Sequence, residues 1–303
     1  MRKIQLFLLM FVCIQISILA QKKINLNKEN TGFQLKTTTS STVPQQYLKE
    51  AKAGRIFAIN PALQHAGSVN VGDMVDLQLF ESNSYTAQIS KIVTDVNRTL
   101  TLILRLNDYP MAFALISTGK AGKSLVNVSI PELKQSFTSR CSIDSDVSYL
   151  IEIDSEKQLP LKCENDGLHV PEGIMINAEG DSVNVEKNAS QTINLRAGDC
   201  TPNGGTGDPA QIDLLIVYTA AAEAWANSHQ GGIGNTIANM INLGNLALSN
   251  SLTGVTLRLA HSARVDYTEA GGMEVSLNRL KETGDGFIDN VHALRKNHGA
   301  DLV

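Results

Sequence analysis

Residues 211–303 alternate between two periodicities, and that alternation limits the folds open to the chain more than any other feature. Gln211–Thr219 (QIDLLIVYT) reads as a strand, Thr236–Ser249 as a helix, Val255–Asp266 as a second strand and Phe287–Asn297 as a second helix. Gly299-Ala-Asp-Leu-Val303 follows. A glycine that stops a helix, followed by an apolar pair, opens a further strand. Strands alternating with helices imply an α/β sheet whose strands are at least partly parallel. The chain reads as truncated inside that last strand, with the chemistry of the module expected beyond Val303.

Within this module Ile237, Met240, Ile241, Gly244, Ala247 and Leu248 fall on one helical face. The second strand alternates Val255, Leu257, Leu259, Ala263 and Val265 with Thr256, Arg258, Ser262 and Arg264, which puts His261 on the apolar side. Phe287, Val291 and Leu294 form the stripe of the last helix. Asp285 and Asp289 near its start and Arg295 and Lys296 near its end complement the helix dipole.

The other end of the chain has a different signature. Arg2 and Lys3 precede an apolar run over Ile4–Leu19 that is broken only by Gln5, Gln15 and Ser17. Ala20 is a small residue ahead of Gln21-Lys22-Lys23. This is the pattern of a secretory signal peptide, residues 1–20, with cleavage after Ala20. The run is too short and too polar for a membrane anchor, so no membrane span is expected once it is removed. Losing Arg2 and Lys3 takes the formal net charge from −4 to −6. A mildly acidic exported chain gives no reason to expect nucleic-acid binding.

Residues 21–163 read as a β-rich domain behind a polar lead-in. Val75, Leu77 and Leu79, then Tyr85, Ala87 and Ile89, then Leu100, Leu102, Leu104 and Leu106 each line one face of a period-two strand. Leu125–Ile130 and Tyr149–Ile153 add two more, and Asn, Asp, Gly and Pro punctuate the spaces between. Residues 164–210 are a connector rich in turn formers, and its Cys200-Thr-Pro-Asn-Gly-Gly-Thr-Gly-Asp-Pro tract is the most cleavable stretch between the two modules. The expected fold class is α+β.

Candidate chemistry is sparse. A helical zinc pair needs two histidines at i and i+4, and none of His65, His169, His229, His261, His292 and His298 is so placed. His292 and His298 are six apart, on different sides of a helix. His261 reads as a core histidine satisfied by hydrogen bonding. Gly119-Lys-Ala-Gly-Lys-Ser124 is similar to the end of a phosphate loop, but Ser117 stands where the first glycine belongs and no helix follows, so it reads as a hairpin turn. Three glycosylation sequons begin at Asn97, Asn127 and Asn188. No G-x-S-x-G elbow occurs. Signal removal leaves Cys141, Cys163 and Cys200, enough for one disulfide. Cys141 and Cys163 flank a strand and turn and form a plausible pair, which leaves Cys200 free ahead of the second module.

Ile212–Thr219, Leu257–Glu269, Asp285–Arg295 and Gly299–Val303 together resemble the opening half of a reprolysin-like, M12B-type zinc metallopeptidase, a secreted metzincin. The resemblance covers residues 211–303, and the upstream layout is similar to the signal and propeptide of that family. It implies a β-rich propeptide-like domain followed by the N-terminal part of a metzincin-like catalytic domain, with polypeptide substrates and a zinc ion in the complete protein. The family's H-E-x-x-H-x-x-G-x-x-H motif lies downstream of the strand beginning at Ala300, so no catalytic or metal-binding residue carries over to these 303 residues and no bound zinc is expected for the chain as given. Cys200 is similar in placement to a cysteine-switch residue, whose thiolate silences a zymogen by occupying zinc. The competing expectation is a non-enzymatic exported binding or adhesion protein that works through its β domain.

Overall fold

A computed structural model describes residues 22–27, 43–49, 51–80, 83–157, 174–176, 182–184, 210–269 and 271–303. Ala20, Cys163, Cys200 and most of the connector lie outside these residues. Two compact units are distinguished, one made of residues 1–157 with 210–303 and the other of residues 158–209. Within the smaller unit Ile174–Ile176 pairs antiparallel with Ser182–Asn184.

The β domain is a nine-stranded sheet. Its strands are β1 (Lys23–Asn25), β2 (Ala51–Phe57), β3 (Met74–Phe80), β4 (Asn83–Thr94), β5 (Leu100–Leu106), β6 (Phe113–Thr118), β7 (Ser124–Ile130), β8 (Gln135–Cys141) and β9 (Ser148–Ile153), in the order β1-β3-β4-β5-β6-β7-β8-β9-β2. Every pairing is antiparallel except β1 with β3. A short helix, α1 (Gln45–Leu48), precedes β2. The sheet curls until its edges meet. Asn27 bridges to Ile59, and buried Arg55 on β2 donates to the carbonyls of Gln78 and Leu79. Burial lowers the Arg55 guanidinium to about 10, still charged at neutral pH. Curling the edges together removes the unpaired backbone that an open sheet presents to other chains.

The period-two faces set the interior. Val75, Leu77, Leu79, Ala87, Ile89, Leu102, Leu104, Ile116, Val128 and Leu150 share one core. β5 and β6 are buried on both faces, with Ile103 and Leu115 turned outward onto Leu246 of the C-terminal module. A strand covered on both sides has no reason to alternate, which explains why the continuous apolar run in β6 carries no period-two signal.

The C-terminal module is an α/β/α sandwich built on two parallel strands, β12 (Ala210–Tyr218) and β13 (Val255–Arg264), counting the short pair in the connector as β10 and β11. The helices are α2 (Ala220–His229), α3 (Ile233–Asn250), α4 (Gly272–Lys281) and α5 (Asn290–His298). Thr219 caps α2 by accepting from the Ala222 amide at 3.1 Å. Ile237 and Ile241 of α3 cover one face of the strands with Leu214, Ile216 and Leu259. Val291, Leu294 and Leu280 cover the other with Leu215 and Val217. Gly299 ends α5 at φ 62°, a left-handed turn that glycine adopts without strain. The chain then lies beside β12, where Leu302 pairs in parallel with Leu214, as the Gly-then-apolar pattern predicts.

Three expectations are corrected. Helix α3 does not bury Met240, which is 60% exposed; it buries Asn235, Ala238, Asn239, Asn242 and Leu246 as well as Ile237 and Ile241. The helix lies between two sheets, so it has two buried faces, and one of them is lined by amides. Phe287 stands outside the final helix, with the Arg279 guanidinium 3.8 Å from its ring centre. His261 is not on the face of Leu257 and Leu259. A register shift between Leu214 and Leu215 leaves Ala260 without a cross-strand partner and pairs Leu215 with His261. That bulge turns His261 to the α5 side.

Candidate functional site

Parallel strands gather ligand sites outside their carboxyl ends, and a cleft of about 630 Å³ opens there. Val217, Tyr218 and Thr219 leave β12 into it, and Val265, Tyr267 and Glu269 follow β13. The far wall is α4, which contributes Met273, Ser276, Leu277 and Leu280. Met273 is 80% exposed and Leu277 50% exposed, so the wall presents apolar surface to the opening. Thr219 does two jobs at once. Its hydroxyl caps α2 and donates to Glu269 Oε1 at 2.8 Å, tying the loop after β13 to the end of β12. Tyr267 lies 3.0 Å from the Ser276 hydroxyl, and Arg279 donates to its oxygen at 3.4 Å. The hydrogen bond from Ser276, with help from Arg279, holds the phenol below its usual value. The result is a largely apolar cleft lined also by one carboxylate and two phenols, the makings of a binding surface.

The histidines are dispersed. His229 stacks on Trp225 at 5.3 Å and meets Tyr47 edge-on. His292 Nε2 is 3.0 Å from the Glu282 carbonyl. Among the described residues His261 and His298 are the one histidine pair brought together, with ring centres 3.7 Å apart and planes 4° from parallel. Imidazole binds a metal along a lone pair in the ring plane, and in-plane lone pairs on stacked rings run side by side without meeting on one ion. Among the described residues no three His, Cys, Asp or Glu side chains are grouped to hold a metal. These residues therefore do not fit a catalytic zinc. Burial, reinforced by the neighbouring His298, lowers the His261 pKa.

Cys141 is a buried free thiol whose sulfur lies 3.4 Å from the Ser124 carbonyl. Burial pushes the thiol up to about 11. It belongs to the contact between the β domain and the C-terminal module. Gly231 donates to the Cys141 carbonyl at 2.7 Å and Ile143 to the Asn227 carbonyl at 2.8 Å. Asn235 Nδ2 donates to the carbonyls of Lys123, Gln230 and Gly231, at 3.0, 3.2 and 3.2 Å. Asn127 donates to Asn239 Oδ1 at 2.9 Å. These asparagines are the residues that periodicity misses, since it counts them as surface. The available signal is the density of Asn in a segment that is otherwise apolar and helical. No described helix is long and apolar enough to cross a membrane.

Four relatives carry the name peptidyl-Asp metalloendopeptidase. The protein from Stenotrophomonas maltophilia is 35% identical over 97 residues, 32% of this chain and 22% of its own length. The Xanthomonas campestris protein is 31% identical over 97 residues, again 32% of this chain and 22% of the relative. The Pseudomonas aeruginosa protein is 32% identical over 96 residues, 31% of this chain and 15% of the relative. The matching stretch thus spans 22% or less of these curated relatives. No family model matches the chain, and no solved structure does.

Proposed function

We propose that this chain is the N-terminal portion of an exported zinc metalloendopeptidase precursor. In this reading residues 1–20 direct export, residues 21–163 form a propeptide-like domain, residues 164–210 connect, and residues 211–303 begin a reprolysin-like catalytic domain of the metzincin type. The observation that carries it is the shared name of the relatives over a third of this chain. The parallel β-α-β arrangement with a third strand opening at Leu302 supports it. The name of the relatives makes a polypeptide with an aspartate at the cleavage point the first substrate to try. Were a zinc ion bound by residues outside these 303, it would supply the Lewis acid that activates water for peptide hydrolysis. Cys200, just ahead of the module, is then the candidate for a thiol that silences the precursor.

The test compares the 303-residue chain with the longest product of its reading frame. Each is assayed for zinc by elemental analysis and for chelator-sensitive cleavage of Asp-containing peptides. Zinc and cleavage are expected in the longer product alone. Stoichiometric zinc with peptidase activity in the 303-residue chain would overturn the assignment of the metal site to residues elsewhere. Absence of both from a longer product that contains the histidine motif would overturn the peptidase reading.

A further inference from the structure

We infer that residues 22–157 are a separable partner of residues 210–303, docked on the amide-lined face of α3, and that this docking survives cutting of the connector while leaving the cleft at the strand ends open.

The two parts have separate cores. The main β-domain core draws only on residues between Ile24 and Leu150, and the two cores of the C-terminal module draw only on residues between Leu214 and Ala300. A single small cluster mixes them, with Ile103 and Leu115 of the β domain against Leu246. Beside the edge-on contact of Tyr47 with His229, the contacts across the boundary include a set of specific polar ones. Asn127 meets Asn239, Asn235 reaches the Lys123 carbonyl, and Asn97 meets Ser262 at 2.9 Å. Arg105 reaches Asn250 at 3.2 Å, and Cys141 at the end of β8 lies alongside Gln230. Polar contacts between parts that each keep their own core are the signature of an interface that can open and close. Amides left by the partner can be rehydrated, whereas a continuous apolar seam could not be exposed without aggregation.

The docked surface also has a direction. It runs along α3 and the end of α2, where Ile143 donates to the Asn227 carbonyl, and among the described residues its hydrogen bond to β13 is at Ser262. Every residue lining the cleft lies between Val217 and Ile288, so the β domain contributes nothing to it. Resting on the precursor reading, this makes the β domain a holder of the module's helical flank rather than a plug in its cleft.

The experiment places a specific protease site within 198–210 of the full chain and cuts it to completion. Size-exclusion chromatography at low micromolar concentration should show both pieces in one peak. Asn127→Asp removes the donor and sets a carboxylate against Asn239 Oδ1. It should weaken association about tenfold or more, and adding Asn239→Lys should restore it. Labelling of Met273→Cys, located by peptide mass spectrometry, should proceed at the same rate in cut wild-type complex and in separated Asn127→Asp pieces. Separation of the wild-type pieces, or no effect of Asn127→Asp, would overturn the docking assignment. Labelling seen only after separation would overturn the open cleft. None of these readouts needs metal or activity, so they hold or fail independently of the peptidase reading.

Discussion

Gly119 lies beneath the side chain of Asn235, so closely that a β-carbon at this glycine would stand 2.7 Å from Asn235 Oδ1. The asparagine cannot swing away without giving up its contacts to Lys123, Gln230 and Gly231. Gly119→Ala should therefore destabilise the chain by about 1–3 kcal/mol through overpacking, read by urea unfolding. Gly67→Ala meets nothing within 4 Å and should be close to neutral. Equal stability of the two variants would show that the hairpin gives way at no cost.

The His261–His298 stack should make the fold acid-sensitive. His261 has a folded pKa below its unfolded value of about 6.5 because of burial and the adjacent His298. The unfolded chain then binds the proton more readily, so the contribution of this site is present above that value and is lost as pH falls through it. Thermal unfolding between pH 7.5 and 5 should show a drop in wild type that is smaller in His261→Phe, which keeps the stack without the charge. Parallel pH profiles would refute the linkage.

Asp95 should behave in the opposite sense. Burial raises its pKa, outweighing the amide hydrogen bonds from Thr99 and Asn97, and its Oδ2 has no partner. A raised carboxylate contributes its full share of stability below the unfolded value of about 3.9 and loses it as pH climbs through the folded value. Asp95→Asn keeps an oxygen for the Thr99 amide, which Asp95 Oδ1 receives at 2.9 Å. The variant should melt higher than wild type at pH 7, with the gap closing near pH 4. A lower melting point at pH 7 would contradict this.

Cys141 should resist alkylation in the intact chain. Its thiol is pushed up to about 11 by burial, and the thiolate is the reactive species. Gly231 crosses it so closely that a β-carbon there would be 2.8 Å from the sulfur. Iodoacetamide at pH 7.5 should modify it only as the contact between the two parts opens, so Asn127→Asp should speed the reaction. Rapid modification of the wild type would show that the contact is loose.

The legible parts of the fold are those where one physical rule acts alone. Strands β3 and β4 have one core-facing side, and alternation at Val75–Leu79 and Tyr85–Ile89 locates them. The Gly299 stop and the strand opening after it are equally local. Where two demands meet in one element, pattern fails. β6 is covered on both sides and loses its alternation. Helix α3 serves the sheet with Ile237 and Ile241 and the β domain with Asn235 and Asn239, so its stripe is assigned to Met240 in error. Helix α2 has a readable start, Thr219 ahead of an alanine run, but it is too short and too weakly amphipathic to stand out. The pairing of His261 with His298 depends on a bulge and on a helix end 37 positions away, and neither leaves a trace in spacing.

The unpaired Ala260 has a further consequence for β13. The strand is read in two frames, odd positions serving the α3 side before it and even positions after it. Parity, not composition, then decides which neighbour each residue of the second half meets. Pairing Ala260 with Leu215 in regular register would restore a single frame and send His261 back among the leucines and Ser262 away from Asn97. One backbone residue with a methyl side chain therefore sets both the histidine stack on one side of the sheet and a point of attachment for the β domain on the other.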